Sequence, residues 1–296
     1  MVDFKKLKEN SQQSLDKLSE ELEKLGGNNN TRTKDARFWY PDVDKAGNGF
    51  AVIRFLPAPP NEDVPFVRLW SHAFEGPSGW YIENSLTTLG QDDPVSEYNS
   101  KLWKSGVESD KEIARAQKRN LSFYANVYVI SDKAHPENEG KVFLFKFGKK
   151  IYDKLNQAMK PEFEDEKPLN PFDLWTGANF KIKIRQVEGY RNYDASAFDA
   201  PGPLMSDDDE LEKIWMSEHS LQDIIAPDKF KSYEELQKRL QKVITPKHGI
   251  VADSPSSSDN TNHSAPPPAH KEQKPSVIEI DDEDADDFFK ALASDD

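Results

Sequence analysis

Three runs, LSFYANVYVI (121–130), KVFLFKFG (141–148) and ANFKIKIRQV (178–187), alternate apolar side chains with polar, aromatic or basic ones. Successive side chains of an extended strand point to opposite faces, so this period suits strands with two chemically distinct faces and does not suit a helix. Other runs precede them: AVIRFLP (51–57), PFVRLWSHAF (65–74) and GWYIENS (79–85). KAGNG ahead of the first predicts a tight turn, with Gly47 and Gly49 around Asn48 supplying positive φ. Short strands with few helices between them predict an antiparallel sandwich or small barrel, not a doubly wound sheet. GKKIYDKLNQAM (148–159) carries Ile151, Leu155 and Met159 at helical spacing, and Pro161 ends it. Residues 207–243 predict further helices, one with Leu211, Ile214 and Trp215, another with Tyr233, Leu236 and Leu240.

The two ends differ from this middle. Leu15, Leu18, Leu22 and Leu25 predict a short amphipathic helix, which GGNNN (26–30) stops. From about 246 a Pro, Ser and Asn-rich stretch has no core to bury, and VIEIDDEDADDFFKALASDD closes the chain as an acidic, partner-binding type of tail. Residues 251–296 hold 12 acids and 3 bases, net −9, out of −14 for the whole chain. Within 111–160 the sign reverses, with 11 bases against 5 acids. No run approaches the roughly 18 apolar residues of a membrane span, and MVDFKKLKENSQQS lacks the apolar stretch of a secretory signal. A soluble intracellular protein without membrane contact is the expectation. Cysteine is absent, which removes disulfides, thiolate nucleophiles and sulfur-based zinc sites.

Enzyme signatures are missing too: there is no Gly-rich phosphate loop, no HExxH and no GxSxG. Asp207–Asp209 reads as charge at a helix N-terminus, and His72 and His135 read as structural. Aromatic residues interleave with basic ones around Lys118, Arg119, Phe123 and Tyr124, around Phe145, Lys146, Phe147, Lys149 and Lys150, and from Lys181 to Tyr193. Cations tracking phosphates beside rings that stack on bases would serve single-strand binding. Composition alone leaves that open against core rings and a solvated basic face.

The strings KAGNGFAVIRFLP (45–57), WYIE (80–83), KRNLSFYANVYVI (118–130), HPENEGKVFLFKFGKKIYDKLN (135–156) and GANFKIKIRQVEGYRNYDASAF (177–198) decide further. Over roughly 40–240 the chain resembles the helix-destabilising, single-stranded-DNA-binding proteins of T-even-type bacteriophages. The resemblance implies an α+β fold: an oligonucleotide-binding (OB) fold β-barrel core with a small subdomain and helices. It implies a self-association segment with hinge (1–30), the DNA-binding core (31–245), a flexible linker (246–275) and a disordered acidic partner-binding tail (276–296). The implied role is cooperative, largely sequence-independent, non-enzymatic coating of single-stranded DNA in phage replication, recombination and repair, in the cytoplasm of the infected host.

Carried over by position, phosphate contacts fall on Arg54, Lys118, Arg119, Lys146 and Lys149, and cleft rings on Trp80, Tyr98, Trp103, Tyr124, Phe145, Tyr190 and Tyr193. Phe145 stands where relatives have Tyr. Lys5, Lys6 and Lys8 fall in the self-association segment, although the relatives' pattern of three basic residues before Ser or Thr is altered. Phe288, Phe289 and Leu292 fall in the tail that would recruit replication and recombination proteins. Relatives bind zinc through one His and three Cys. Here the His matches His72, Ser85 stands at the first Cys position, and the segment with the others is shortened to GQDDPVSEY (90–98), so no cofactor or metal is expected. Tyr81, Leu86 and Leu89 are expected to hold that subdomain by packing. The alternative is an acidic-tail adaptor for which nucleic-acid contact is incidental.

Overall fold

A computed structural model describes residues 35–163, 165–187 and 189–246. The expectations for 1–30, with Lys5, Lys6 and Lys8, and for the linker and tail, with Phe288, Phe289 and Leu292, lie outside the described residues. The chain divides into two compact units, Met1–Phe38 and Trp39–Asp296. In the first, Arg37 pairs with Asp35 at 2.8 Å.

The element order is β1 (Phe38–Trp39), β2 (Gly49–Phe55), β3 (Phe66–Gly76), β4 (Gly79–Asn84), α1 (Pro94–Lys104), α2 (Glu108–Ala116), β5 (Asn120–Ser131), β6 (Val142–Phe147), α3 (Lys149–Met159), β7 (Phe180–Val187), β8 (Tyr190–Asn192), β9 (Ala197–Phe198), α4 (Asp208–Met216) and α5 (Tyr233–Ile244). This is a mixed α+β fold on a nine-stranded sheet whose central path runs β6-β5-β2-β7-β8, and no pairing among the described residues closes it. Gly47 takes the expected positive φ of +81°. Gly49 does not. It is glycine for space, because a Cβ there would sit 2.5 Å from the Asp42 carbonyl oxygen.

β5 is bonded along both edges. One edge pairs with β6 from Phe123 to Tyr128. The other pairs with β3 up to Ala125 and with β2 from Val127 onward. Asn126 stands at the handover: its backbone oxygen accepts from Leu56 N at 3.0 Å, and its buried amide bonds the backbone of His219 in both directions at 2.8 and 3.0 Å. Alternation puts Phe123, Ala125, Val127 and Val129 of β5 on the inner face, where they meet Ile53 and Phe55 of β2, Phe145 and Phe147 of β6 and Ile182 of β7. Helix α3 covers this core with Ile151 and Leu155, and its Tyr152 stacks on Phe123 at 4.1 Å.

The β3–β4 hairpin continues into a second core, where Phe74, Tyr81 and Leu86 pack with Val95 of α1 and Leu236, Leu240 and Val243 of α5. Tyr81 and Leu86 thus pack as expected. A Cβ on Gly76 would meet the Val243 oxygen at 2.7 Å, so glycine lets hairpin and helix approach. A third cluster joins Leu56, Leu174 and Leu211. Asp207 caps α4 by accepting from Asp209 N, the structural role read for that acidic run.

Two expected DNA contacts are structural in this fold. Phe145 is 2% exposed, with Trp39 at 5.4 Å and Phe147 at 5.6 Å. Strand alternation turns it inward, so it offers no face to a base. Arg54 is 1% exposed. Its guanidinium donates to Asn179 Oδ1 at 3.0 Å, the Asp173 oxygen at 3.3 Å and the Gly202 oxygen at 2.7 Å, tying β2 to the 170–202 segments. Replacing Arg54 by Met strands these acceptors. At 1–3 kcal/mol for a buried unpaired group, the expected loss of stability is about 3 kcal/mol, read as a lower urea midpoint. Unchanged stability with weakened DNA binding would instead make Arg54 a phosphate contact.

Candidate nucleic-acid interface

On the outer face of the sheet, Tyr124 of β5 and Lys146 of β6 are register partners. The ammonium lies 5.9 Å from the ring centroid, a cation–π contact in a partly desolvated setting. Burial pushes the Lys146 ammonium down, and burial, with Tyr40 adding to it, pushes the Tyr124 hydroxyl up to about 12. Two residues past Lys146, Gly148 caps α3 without a side-chain bond, and Lys149 and Lys150 open its first turn with no acid among them. Cations at this end oppose the helix dipole, and the backbone N–H groups of a helix's first turn favour an anion. Lys150 is partly answered by Asp194 at 3.8 Å.

Other predicted residues group in pairs. Arg119 lies over the Trp70 ring at 4.1 Å; burial lowers its pKa, with nearby Asp93 opposing and nearby Arg68 reinforcing that shift. Trp70 and Arg68 were not singled out from the sequence, though the alternation in VRLW carries them. Lys118, half-buried, ends the link from α2 into β5. Trp103 on α1 has Lys111 at 5.7 Å and Arg115 at 5.4 Å over its ring, which joins α1 to α2. Tyr98 packs against the second core and lines a groove with Tyr233, Leu240 and Ile244. Trp80 stands exposed on β4 opposite Glu75. Tyr190 is exposed on β8, whereas Tyr193 packs on the main core.

Beneath Arg119 lies the place where relatives are expected to hold zinc. His72 and Asp93 are 1% and 2% exposed, with Nε2 3.3 Å from the carboxylate and Nδ1 3.0 Å from the Gln117 oxygen. Ser85 Oγ donates to Asp93 Oδ2 at 2.9 Å, and Asp93 Oδ1 accepts from Val95 N and Ser96 N to cap α1. Nδ1 is hydrogen-bonded and Nε2 faces a carboxylate at 3.3 Å, a hydroxyl stands where a thiolate would be needed, and among the described residues no group of three or more His, Cys, Asp or Glu could hold a metal. The donor set does not fit zinc. The subdomain is held by this polar network as well as by the packing foreseen from the sequence.

Such an arrangement, cations beside partly buried rings on a sheet that leads into a helix start without a side-chain cap, suits a nucleic-acid-binding class of module. Residues 47–244 match the family model described as gp32 DNA binding protein like. The chain belongs to that family. It is 39% identical over 236 residues to the single-stranded DNA-binding protein of Enterobacteria phage T4, covering 78% of each chain. To its namesake from Enterobacteria phage T2 it is 40% identical over 237 residues, again 78% of each.

Burial raises the Asp93 carboxyl, yet the bonds and charge of His72, with those of Ser96 and Ser85, outweigh it and hold the group at about 2. A depressed folded pKa gives stability that is full above the unfolded value near 4 and is lost as pH falls through 2. The expected contribution is about 2 kcal/mol, seen as a Tm that drops between pH 4 and 2 and drops less in Asp93→Asn. A chelator should leave the Tm at pH 7 unchanged; a chelator-sensitive Tm would restore the metal.

Proposed function

We propose that this chain binds single-stranded DNA without strong sequence preference, coating and protecting it and removing secondary structure during phage replication, recombination and repair in the infected host. The observation that carries the reading is Lys146 beside Tyr124, leading directly into the uncapped, lysine-bearing start of α3. A duplex hides its base faces, whereas unpaired bases can stack on exposed rings such as Trp80 while their phosphates meet lysines. The names of the T4 and T2 relatives support the same ligand. The mechanism is mass action: preferential binding of single strands shifts melting without any bond being made or broken. The barrel reading is supported by β5 serving β3 and β2 in turn on one edge, as a strand does when a small sheet curls toward closure. Domain limits at 31–245, with self-association through 1–30 and partner recruitment through an acidic tail at 276–296, complete the proposal.

A deoxythymidine homopolymer titration, followed by Trp and Tyr fluorescence at several salt concentrations with duplex as control, tests it. Lys146→Gln with Lys149→Gln should weaken binding and flatten the log–log salt slope by about 1.4, at about 0.7 per phosphate on single strands. Unchanged affinity and slope would favour the adaptor alternative.

Deleting residues 1–25 should lower cooperativity while single-site affinity stays. Deleting 251–296, net −9, should raise DNA affinity, because the tail's charge competes for the basic surface. Cooperativity unchanged by the first deletion, or weaker binding after the second, would reject the corresponding assignment.

A further inference from the structure

The inner positions of β7, Phe180, Ile182 and Ile184, are 0%, 0% and 1% exposed. Its outer positions read Lys181, Lys183, Arg185 and Val187, a row without an acid in a chain of net charge −14. At one end this outer face is closed: Arg54 is bonded beneath the 170–202 segments, and Lys181 pairs with Asp199 at 2.6 Å. Toward the other end it opens. Phe50 of β2, register partner of Lys183, is 43% exposed. Val187 pairs with Tyr190 across the β7–β8 hairpin, and they are 48% and 53% exposed. Lys183 and Arg185 are exposed and enter no salt bridge with the described residues. Same-face positions on a strand repeat at roughly 6.6 Å, so two cations and two rings form one short ladder.

A solvated sheet face has no need of an exposed phenylalanine set against a cation, and isolated apolar residues would not be lined up by register. Resting on the single-strand reading above, we infer that Phe50, Lys183 and Arg185, beside the cleft ring expected at Tyr190, form a second contact surface for single-stranded DNA, which extends the path of a long strand beyond the Tyr124–Lys146 site. Phe50 offers a ring to a base and the two cations meet flanking phosphates, the sheet-face mode in which exposed strand aromatics stack bases. Phe50, Lys183 and Arg185 take part only when the strand is long enough to reach them.

The test uses the full chain and two deoxythymidine oligomers, one of about 6 and one of about 16 nucleotides, spanning the range of sites on a single small barrel. Phe50→Ala should weaken the longer oligomer about tenfold, the effect of losing one stacked base, and leave the shorter unchanged. Lys183→Gln with Arg185→Gln should flatten the salt slope by about 1.4 for the longer oligomer alone. A photo-reactive benzoylphenylalanine at position 50 should crosslink to the longer oligomer. All the altered positions are exposed, so the variants should fold. Unaltered binding of the longer oligomer, or equal losses on both lengths, overturns the extension. So does loss of binding to a synthetic 276–296 peptide with DNA binding intact, which would give the face to an acidic peptide. If the unaltered chain binds neither oligomer, the single-strand reading itself fails and takes this inference with it.

Discussion

Strand β5 has to satisfy hydrogen bonds on both edges while two different strands compete for one of them. β3 occupies that edge to Ala125 and β2 takes over at Val127, so the residue between must be served by neither ladder. A buried backbone group left without a partner costs on the order of 1–3 kcal/mol; the Asn126 backbone oxygen avoids that cost by accepting from Leu56 N, while its side-chain amide bonds the His219 backbone. Beyond the handover the β3–β4 hairpin builds a second core. The handover also fixes where the proposed interface falls. Tyr124 and Lys146 sit just before the handover, on the most fully paired part of the sheet, where a side chain is positioned at little entropic cost.

The second core shows what a small subdomain does without thiolates. A metal would tie several segments together with strong bonds. Here one carboxylate does so: Asp93 meets His72 on β3, Ser85 at the end of β4 and the first turn of α1. Burying a charge is costly unless it is paired and hydrogen-bonded, and each Asp93 oxygen has several partners. The consequence reaches the surface, because the α2–β5 connection that supplies the Gln117 oxygen to His72 continues into Lys118 and Arg119. The polar network therefore positions a basic segment as well as holding a fold.

The strands were legible because alternation and turn residues are local properties, and β2 through β7 lie where those patterns place them. Helices α1 and α2 were not read. Their start was nevertheless signalled: Asp93 ahead of Pro94 is a capping residue followed by the one residue that fits a first helical position. Site residues were harder. Alternation shows that a strand has two faces but not which is covered, and on β6 that separates Phe145, in the core, from Lys146, outside it. Arg54 was harder still, for a deeper reason. Its partners, Asn179, Asp173 and Gly202, are more than a hundred residues away, so nothing near it in sequence distinguishes a buried strut from a phosphate contact. Phe50 escaped notice because an aromatic in a strand is ordinarily a core residue, and only the register shows it facing out.

The two basic surfaces differ in what they can give a bound strand. Tyr124 is 8% exposed and Lys146 is already partly desolvated, so a nucleotide arriving there gains little new ring contact. Its gain is Coulombic, with a cation whose hydration has been reduced in advance beside a helix start that favours an anion. On the outer face of β2, β7 and β8 the balance is reversed. Phe50 and Tyr190 each retain about half their surface, so burying them under bases yields apolar contact, while Lys183 and Arg185 remain hydrated and screened. Salt should therefore loosen a strand from the exposed cations first, leaving stacking to hold that stretch, because screening acts most strongly on solvent-exposed charges.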